Sequence, residues 1–344
     1  MRLKQVLIFF VSGWMSVMLV YGQEPVKKGK ETDVSSKLTD SVKMAALREI
    51  ALRYPLLRQG GISTEFGGKQ DLKSDLYGNR VLESKVQISR IRAYVNIPVA
   101  EIGKNLISSS LGLVQQKLSF SDINGQPSMV QGAKMILKEN TFNFRLGVTR
   151  ASTLFDKPVV YSVSALAITN EHFSYIRMNY MGLAALTLKR MADRSSSVGV
   201  VVVVDPSAPL PILPYYNAWR KFNNSLELFV DLPSRINIRK QLSEKSFLSF
   251  GTEMTGTLAF LNLNVPALPQ QNIFTTLDLK TGPSYEYRLS KYVVLGASGG
   301  LISPLQSRVF EKSAPSKDYF IENKLNAAPY VNFSISVLPF LKAL

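Results

Sequence analysis

The chain has 344 residues, of which 46% are apolar and 19% charged, with no cysteine, one histidine and a formal charge of +16. That apolar content excludes a disordered chain, the missing cysteines exclude a disulfide framework, and one histidine leaves zinc and most transition metals without their usual ligands. The length suits two ordinary domains or one large all-β domain.

Met1 to Lys4 carries two positive charges, Val6 to Val20 is almost wholly apolar, and Val20-Tyr21-Gly22 ends the run as a signal-peptidase site would. This predicts a signal peptide over residues 1–22 with cleavage before Gln23. The run of 15 residues is short of the ~20 that span a bilayer as a helix, and no later run is long and apolar enough. Export turns the basic excess away from nucleic acid and towards glycolipid phosphates or solvated loops.

Residues 23–55 read as a periplasmic lead-in with one short helix. Glu24 to Asp40 is poor in apolar residues. Asp40 then resembles an N-cap, Val42, Ala45, Ala46, Ile50 and Ala51 fall near helical spacing, and Pro55 ends the pattern, so a helix is expected at about 41–53. A plain linker helix is favoured over one lodged under or inside a larger fold.

From residue 56 to 344 the period changes to two. Ile62, Thr64 and Phe66 alternate with Ser63 and Glu65, and Ile91, Ala93, Val95 and Ile97 alternate with Arg92, Tyr94 and Asn96. Phe142, Phe144, Leu146 and Val148 are separated by Asn143, Arg145 and Gly147, and Val331, Phe333, Ile335 and Val337 by Asn332, Ser334 and Ser336. Such alternation gives each strand one apolar and one polar face. Behind an export signal it predicts an all-β fold, a closed antiparallel transmembrane β-barrel of about 12 strands (10 to 14), with the last strand pairing the first. The two sets just named are the candidate lipid-facing residues.

Leu232-Pro233-Ser234, Ser243-Glu244-Lys245 and Ser290-Lys291 read as hairpin turns; Ser121 to Gly132 and Pro304 to Lys317 read as long loops. Two short turns in succession, at 233 and 244, conflict with the usual division into a turn end and a loop end. Pro206 to Pro214 holds four prolines and is expected to lie outside any central strand, as a rigid loop or one folded into the pore. Glycines 296, 299 and 300 lie in a strand-like run and are expected to permit a bend or close packing. Tyr94, Tyr175, Tyr292 and Tyr330 are candidates for an interfacial aromatic belt.

Chemistry is sparse. His172 with Ser174 is the sole formal catalytic candidate, with no third orienting group, and no phosphate loop, nucleotide fingerprint, metal site or cofactor is predicted. Candidate lumen-facing basic residues are Arg90, Arg92, Arg145, Arg235, Arg239, Lys280 and Arg288; the acidic ones are Glu65, Glu227, Asp231, Glu253, Asp278 and Glu286. Seven against six is nearly balanced, which favours a paired structural network over a charge-selective filter.

Pro211-Ile-Leu-Pro-Tyr-Tyr-Asn-Ala-Trp219, Leu226 to Pro233 and Arg235 to Gln241 resemble the middle of an uncharacterised outer-membrane β-barrel family of the Bacteroidota, a domain of unknown function. The resemblance covers about residues 56–344. It implies no activity, so no functional residue is carried over. Many such barrels end on an aromatic residue, whereas this chain ends Phe340-Leu-Lys-Ala-Leu344. The expected function is therefore an integral outer-membrane barrel with a porin-like or transport role for a small solute. Its expected partners are outer-membrane lipid and lipopolysaccharide, the barrel-assembly machinery and that solute. The alternatives are a structural or surface-display barrel with a closed lumen, an outer-membrane hydrolase using His172, and a soluble periplasmic β-sandwich.

Overall fold

The structure is a computed structural model, and it describes residues 40–125, 136–205, 211–263 and 268–343. The predicted signal peptide, its cleavage point and most of the lead-in lie outside the described residues.

A helix, α1 (Asp40–Arg53), and a 3-10 turn (Pro55–Leu57) precede fifteen strands. These are β1 (Gly60–Leu76), β2 (Asn79–Ile102), β3 (Asn105–Gly125), β4 (Ile136–Leu154), β5 (Lys157–Asn170), β6 (Ile176–Arg190), β7 (Arg194–Val204) and β8 (Ile212–Lys221). They continue with β9 (Leu226–Leu232), β10 (Arg235–Gln241), β11 (Ser246–Leu261), β12 (Asn272–Arg288), β13 (Val293–Glu311), β14 (Ile321–Leu325) and β15 (Ala328–Val337). Each strand from β1 to β13 pairs antiparallel with its sequence neighbour. β14 and β15 lie end to end between β13 and β1, as two halves of one stave. The result is a closed antiparallel barrel of 14 staves, at the upper end of the expected range. Gly60 to Gly67 pairs with Val337 to Tyr330, so the last strand does close on the first.

Apolar residues at alternate strand positions lie on the outside of the barrel. Ile62, Phe66, Leu111, Phe144, Leu146, Val148, Val163, Val202, Ile236, Phe250, Val331, Phe333 and Ile335 are all exposed, and they form an apolar belt round the outside. Phe142, within β4, and Val337, the last residue of β15, are only partly exposed. Phe142 is covered by Phe173, whose ring stacks on it at 5.9 Å.

Several expectations need correction. β3 runs on through Ser121 to Gly125 and β13 through Pro304 to Glu311, so both predicted loops begin inside strands. Pro304 is tolerated because it sits opposite Asp278, where the β12–β13 register shifts and the ladder is already interrupted. Pro214 likewise lies within β8, near its start, opposite Val200. Residues 206–210 of the proline-rich segment lie outside the described residues.

Tyr94 and Tyr330 share the inward parity of Arg92 and Asn332 rather than joining an interfacial belt, and Tyr330 is buried. Tyr161, Tyr180, Tyr216, Tyr285 and Tyr287 are the outward tyrosines. The interior is not polar all round either. Met181, Leu183, Val201, Val203, Leu213 and Tyr215 face inward from β6, β7 and β8 and form a buried apolar cluster. The glycine run behaves as expected: Gly300 has φ +147°, and a Cβ there would stand 2.1 Å from the Thr281 carbonyl oxygen.

Both turns at 233 and 244 exist, and their conflict has a physical resolution. The turn at 233 lies at the loop end, where the two seven-residue strands β9 and β10 make the wall low. β11 keeps a β10 partner only as far as Glu253, opposite Arg235. Its second half swings inward instead, burying Leu258 and Phe260 with Ile168, Ile273 and Phe310. Thr141 of β4 donates its hydroxyl to the Leu258 carbonyl at 3.1 Å, which gives that backbone acceptor, beyond the reach of β10, a partner.

Candidate functional site: the divided barrel interior

The inward face is filled in three ways. On one side, Arg90 of β2 lies 3.1 Å from Glu65 of β1 and 2.8 Å from Asp278 of β12. Its other nitrogens donate to Gln116 and Thr276, each at 3.3 Å. Arg92, at 3.3 Å, and Lys280 close on the same Glu65 carboxylate. Four strands, β1, β2, β3 and β12, are thus tied by a chord across the lumen, with Arg90 only 1% exposed. Above it, Leu72, Val86, Ile88, Leu118, Ala259 and Phe274 make a dry core. The expected paired network is therefore present, and it occupies space that an open pore would need.

The second filling is α1 with the segment after it. The linker expectation is corrected here: Tyr54 packs edge-on against Phe229 at 5.5 Å, and Ala51 and Leu52 bury with Phe247, Val294 and Leu338. All of these barrel residues share the inward parity of Glu227, Glu286 and Ser336. Polar contacts hold the same assembly. Arg53 pairs with Glu227 at 3.3 Å, Arg58 with Glu286 at 2.7 Å, and Arg288 with Glu49 at 2.8 Å. Arg235 pairs with Asp231 at 2.6 Å and lies 5.8 Å from the Tyr54 ring. Arg239, 4% exposed, stacks 3.9 Å over Phe247. The C-terminal end of the helix packs into the turn end of the barrel because Ile50, Ala51, Leu52 and Tyr54 would otherwise face water, while Arg53 and Arg58 meet acidic residues the strands already point inward.

Not every contact in this assembly carries weight. The Glu49 carboxylate is 61% exposed, so Glu49→Gln is expected to change stability by less than about 1 kcal/mol. A denaturant titration in detergent checks this, and a larger loss would mean that the Arg288 pair holds the helix in place.

The third feature is space. Two cavities, of about 330 and 260 Å³, share Leu56, Asn96 and Arg145. The outer chamber reaches the turn end between α1 and the C-terminal segment, lined by Lys43, Met44, Glu101, Leu341 and Lys342. The inner chamber continues past Arg145 along β2 to β5 and stops at Thr141, Thr257 and Leu258. Gly112 helps keep it open: Asn143 lies across it, and a Cβ there would come within 2.5 Å of the Asn143 side chain.

The predicted lumen residues therefore separate into groups. Arg90, Arg92, Asp278 and Lys280 join the chord with Glu65; Glu227, Asp231, Arg235, Arg239, Glu286 and Arg288 surround α1; Arg145 lines both chambers. Glu253 is exposed, with Arg235 and Lys280 as cross-strand neighbours. Sequence reasoning missed Glu49, Arg53 and Arg58, which lie outside the alternating strands. It also missed the Arg177–Asp205 pair at 2.6 Å, although Ile176, Met178 and Tyr180 alternate with Arg177 and Asn179 and offered the signal.

His172 and Ser174 are not brought together by a shared contact. His172, 75% exposed, lies 3.4 Å from Glu171, while the Ser174 hydroxyl accepts from the Asn170 amide at 2.9 Å. Among the described residues no group of three potential metal ligands is found.

Residues 56–337 match the family model of a domain of unknown function (DUF6268). The chain belongs to that family. No curated protein matches it. Solved structures similar to it include a FadL homologue from Pseudomonas aeruginosa, at 8% identity over 82% of this chain and 90% of that one, TM-score 0.41. A deletion mutant of the TodX monoaromatic hydrocarbon channel follows, at 9% identity over 81% and 89%, TM-score 0.35. The translocator domain of the autotransporter NalP from Neisseria meningitidis has 10% identity over 82% and 88%, TM-score 0.25. Likeness at this level assigns this family member no activity or solute.

Proposed function

We propose that this family member is an integral outer-membrane barrel of a Bacteroidota cell, exported by residues 1–22, that carries a small solute and is closed in the state described. The reading is non-enzymatic. The apolar belt supports membrane insertion, because lipid accepts a closed barrel whose outward side chains are apolar and whose staves pair with their neighbours. The transport reading is carried by one observation: two cavities that share Leu56, Asn96 and Arg145 in their walls extend from the turn end into the barrel, and the inner one reaches the inward fold of β11. A barrel serving only as a scaffold has no use for such a route. The filled lumen beside it favours the display reading, which is the competing one.

The contact between Thr141 and Leu258 is then the gate, and the cysteine-free chain makes it easy to test. Thr141→Cys with Leu258→Cys supplies the sole pair of thiols. In liposome-swelling assays with arabinose and sodium benzoate, the unlinked variant is expected to pass at least one solute, and joining the thiols with a short bismaleimide is expected to stop it. Unchanged flux after linking removes the gate; no flux in either form selects the display barrel.

A further inference from the structure

We propose that the inner chamber binds a small uncharged amphipathic molecule bearing a hydroxyl or amide group, with that group at the Thr257 hydroxyl and its apolar body against Leu166, Ile168 and Leu258. The proposal rests on the transport reading and names the solute class for the same chamber.

Pairing is the first argument. Thr257 of β11 lines the chamber, is 6% exposed, and has a buried hydroxyl with no hydrogen-bond partner among the described residues. Buried hydroxyls are normally paired, because an unpaired one loses its hydration with nothing in return. The other threonine of the lining, Thr141, is already engaged with the Leu258 carbonyl. The deficit continues around the chamber. Thr255, two residues before Thr257 in β11, and Ser164, two before Leu166 in β5, also have buried hydroxyls without partners among the described residues. Asn179 of β6 stands opposite Leu166, is 4% exposed, and has neither its amide nitrogen nor its amide oxygen paired among them. A ligand hydroxyl or amide both donates and accepts, so it can meet either need of such groups.

Charge and shape set the rest of the ligand. No carboxylate is among the described residues lining the inner chamber, so a cation finds no counter-charge there. Arg145 lines it too, but that residue already has an interaction within the protein. An ion entering would leave water for a wall of uncharged and already engaged groups, which costs far more than moving an uncharged polar group. Val114, Leu166, Ile168 and Leu258 give an apolar wall, and 260 Å³ is near the lower end of the ~300–1,000 Å³ of small-molecule sites, which selects a short apolar body.

Calorimetry on the full mature chain in detergent tests the proposal, with titrations into detergent alone subtracted. Benzyl alcohol is the probe, toluene its counterpart without a polar group, and benzoate the charged one. Benzyl alcohol is expected to bind about fivefold more tightly than toluene, the scale of one net hydrogen bond, and to exceed benzoate by at least as much. Thr257→Val, which keeps the shape and removes the hydroxyl, should abolish the preference over toluene, and Thr257→Ser should retain it, with heat-modifiable gel mobility confirming a folded barrel in each. Leu166→Trp, which fills the chamber and leaves the hydroxyl, should weaken alcohol and toluene together. Toluene binding as tightly as benzyl alcohol, benzoate binding tightest, or a preference surviving in Thr257→Val overturns the site. Binding with this pattern but without liposome flux upholds the site and removes transport; flux without Thr257-dependent binding does the reverse.

Discussion

Arg90→Met is expected to destabilise the barrel by about 3–5 kcal/mol, the usual cost of removing one partner from a buried ionic network. Arg90 is 1% exposed and holds Asp278 at 2.8 Å and Glu65 at 3.1 Å. Glu65 keeps Arg92 and Lys280 after the substitution, so most of the loss comes from Asp278, left with its charge in a dry interior. Arg90→Met combined with Asp278→Leu should recover much of the stability, because taking both partners away strands neither charge. Guanidinium titration in detergent, read by heat-modifiable mobility, measures both. A loss under about 1 kcal/mol in the single variant would mean that water reaches the chord and that the lumen is wetter than the packing of Leu72, Val86 and Phe274 implies.

Leu146→Arg is the second large effect, with an expected cost of about 2–4 kcal/mol for arginine facing mid-bilayer lipid from a barrel. Leu146 is 47% exposed between the exposed Phe144 and Val148, in the middle of the outer belt. Asn143 is on the opposite face, lying over Gly112, so Asn143→Ala should cost far less. Membrane fractionation with gel mobility before and after heating gives the readout: Leu146→Arg should fail to reach the heat-modifiable form, and Asn143→Ala should reach it normally. Equal tolerance at both positions sinks the lipid-facing assignment and returns the soluble β-sandwich to consideration.

Arg145, three residues from Phe142 and one from Leu146, shows how far local pattern carries. Its inward direction follows from alternation alone. Its separation from the other inward charges does not, since the chord and the helix assembly take up the remainder and leave Arg145 at the neck between chambers. A nearly balanced charge count over the whole lumen was a sound argument against a charge-selective filter. The same count did not show that Arg145 would line two cavities, apart from the chord and the helix assembly.

The loop boundaries show a different limit. Pro304 and Pro214 were read as breakers, and both lie in strands, because proline is excluded only where a ladder donor is needed. Which positions need one depends on register with a neighbouring strand. β11 is the strongest case: alternation gives way to the continuous apolar run Leu258 to Leu261, the mark of a strand covered on both faces, but the inward swing that covers it follows from how short β9 and β10 are beside it.

Alternation every second residue, read behind the expected export signal, pointed from the sequence by itself to an all-β closed antiparallel barrel and assigned the two faces of the strands in which it is clean, although β6, β7 and β8 turn apolar side chains inward as well. The faces are local, because they follow from backbone geometry and the order of side chains along a strand. Only the tertiary structure decided what the inward faces meet. Glu65 and Lys280 are 215 residues apart, Arg58 and Glu286 are 228 apart, and Thr141 reaches Leu258 over 117. Such partners are set by strand number, register and the uneven height of the wall, and these place the helix inside, fold β11 across the lumen and leave the two chambers between.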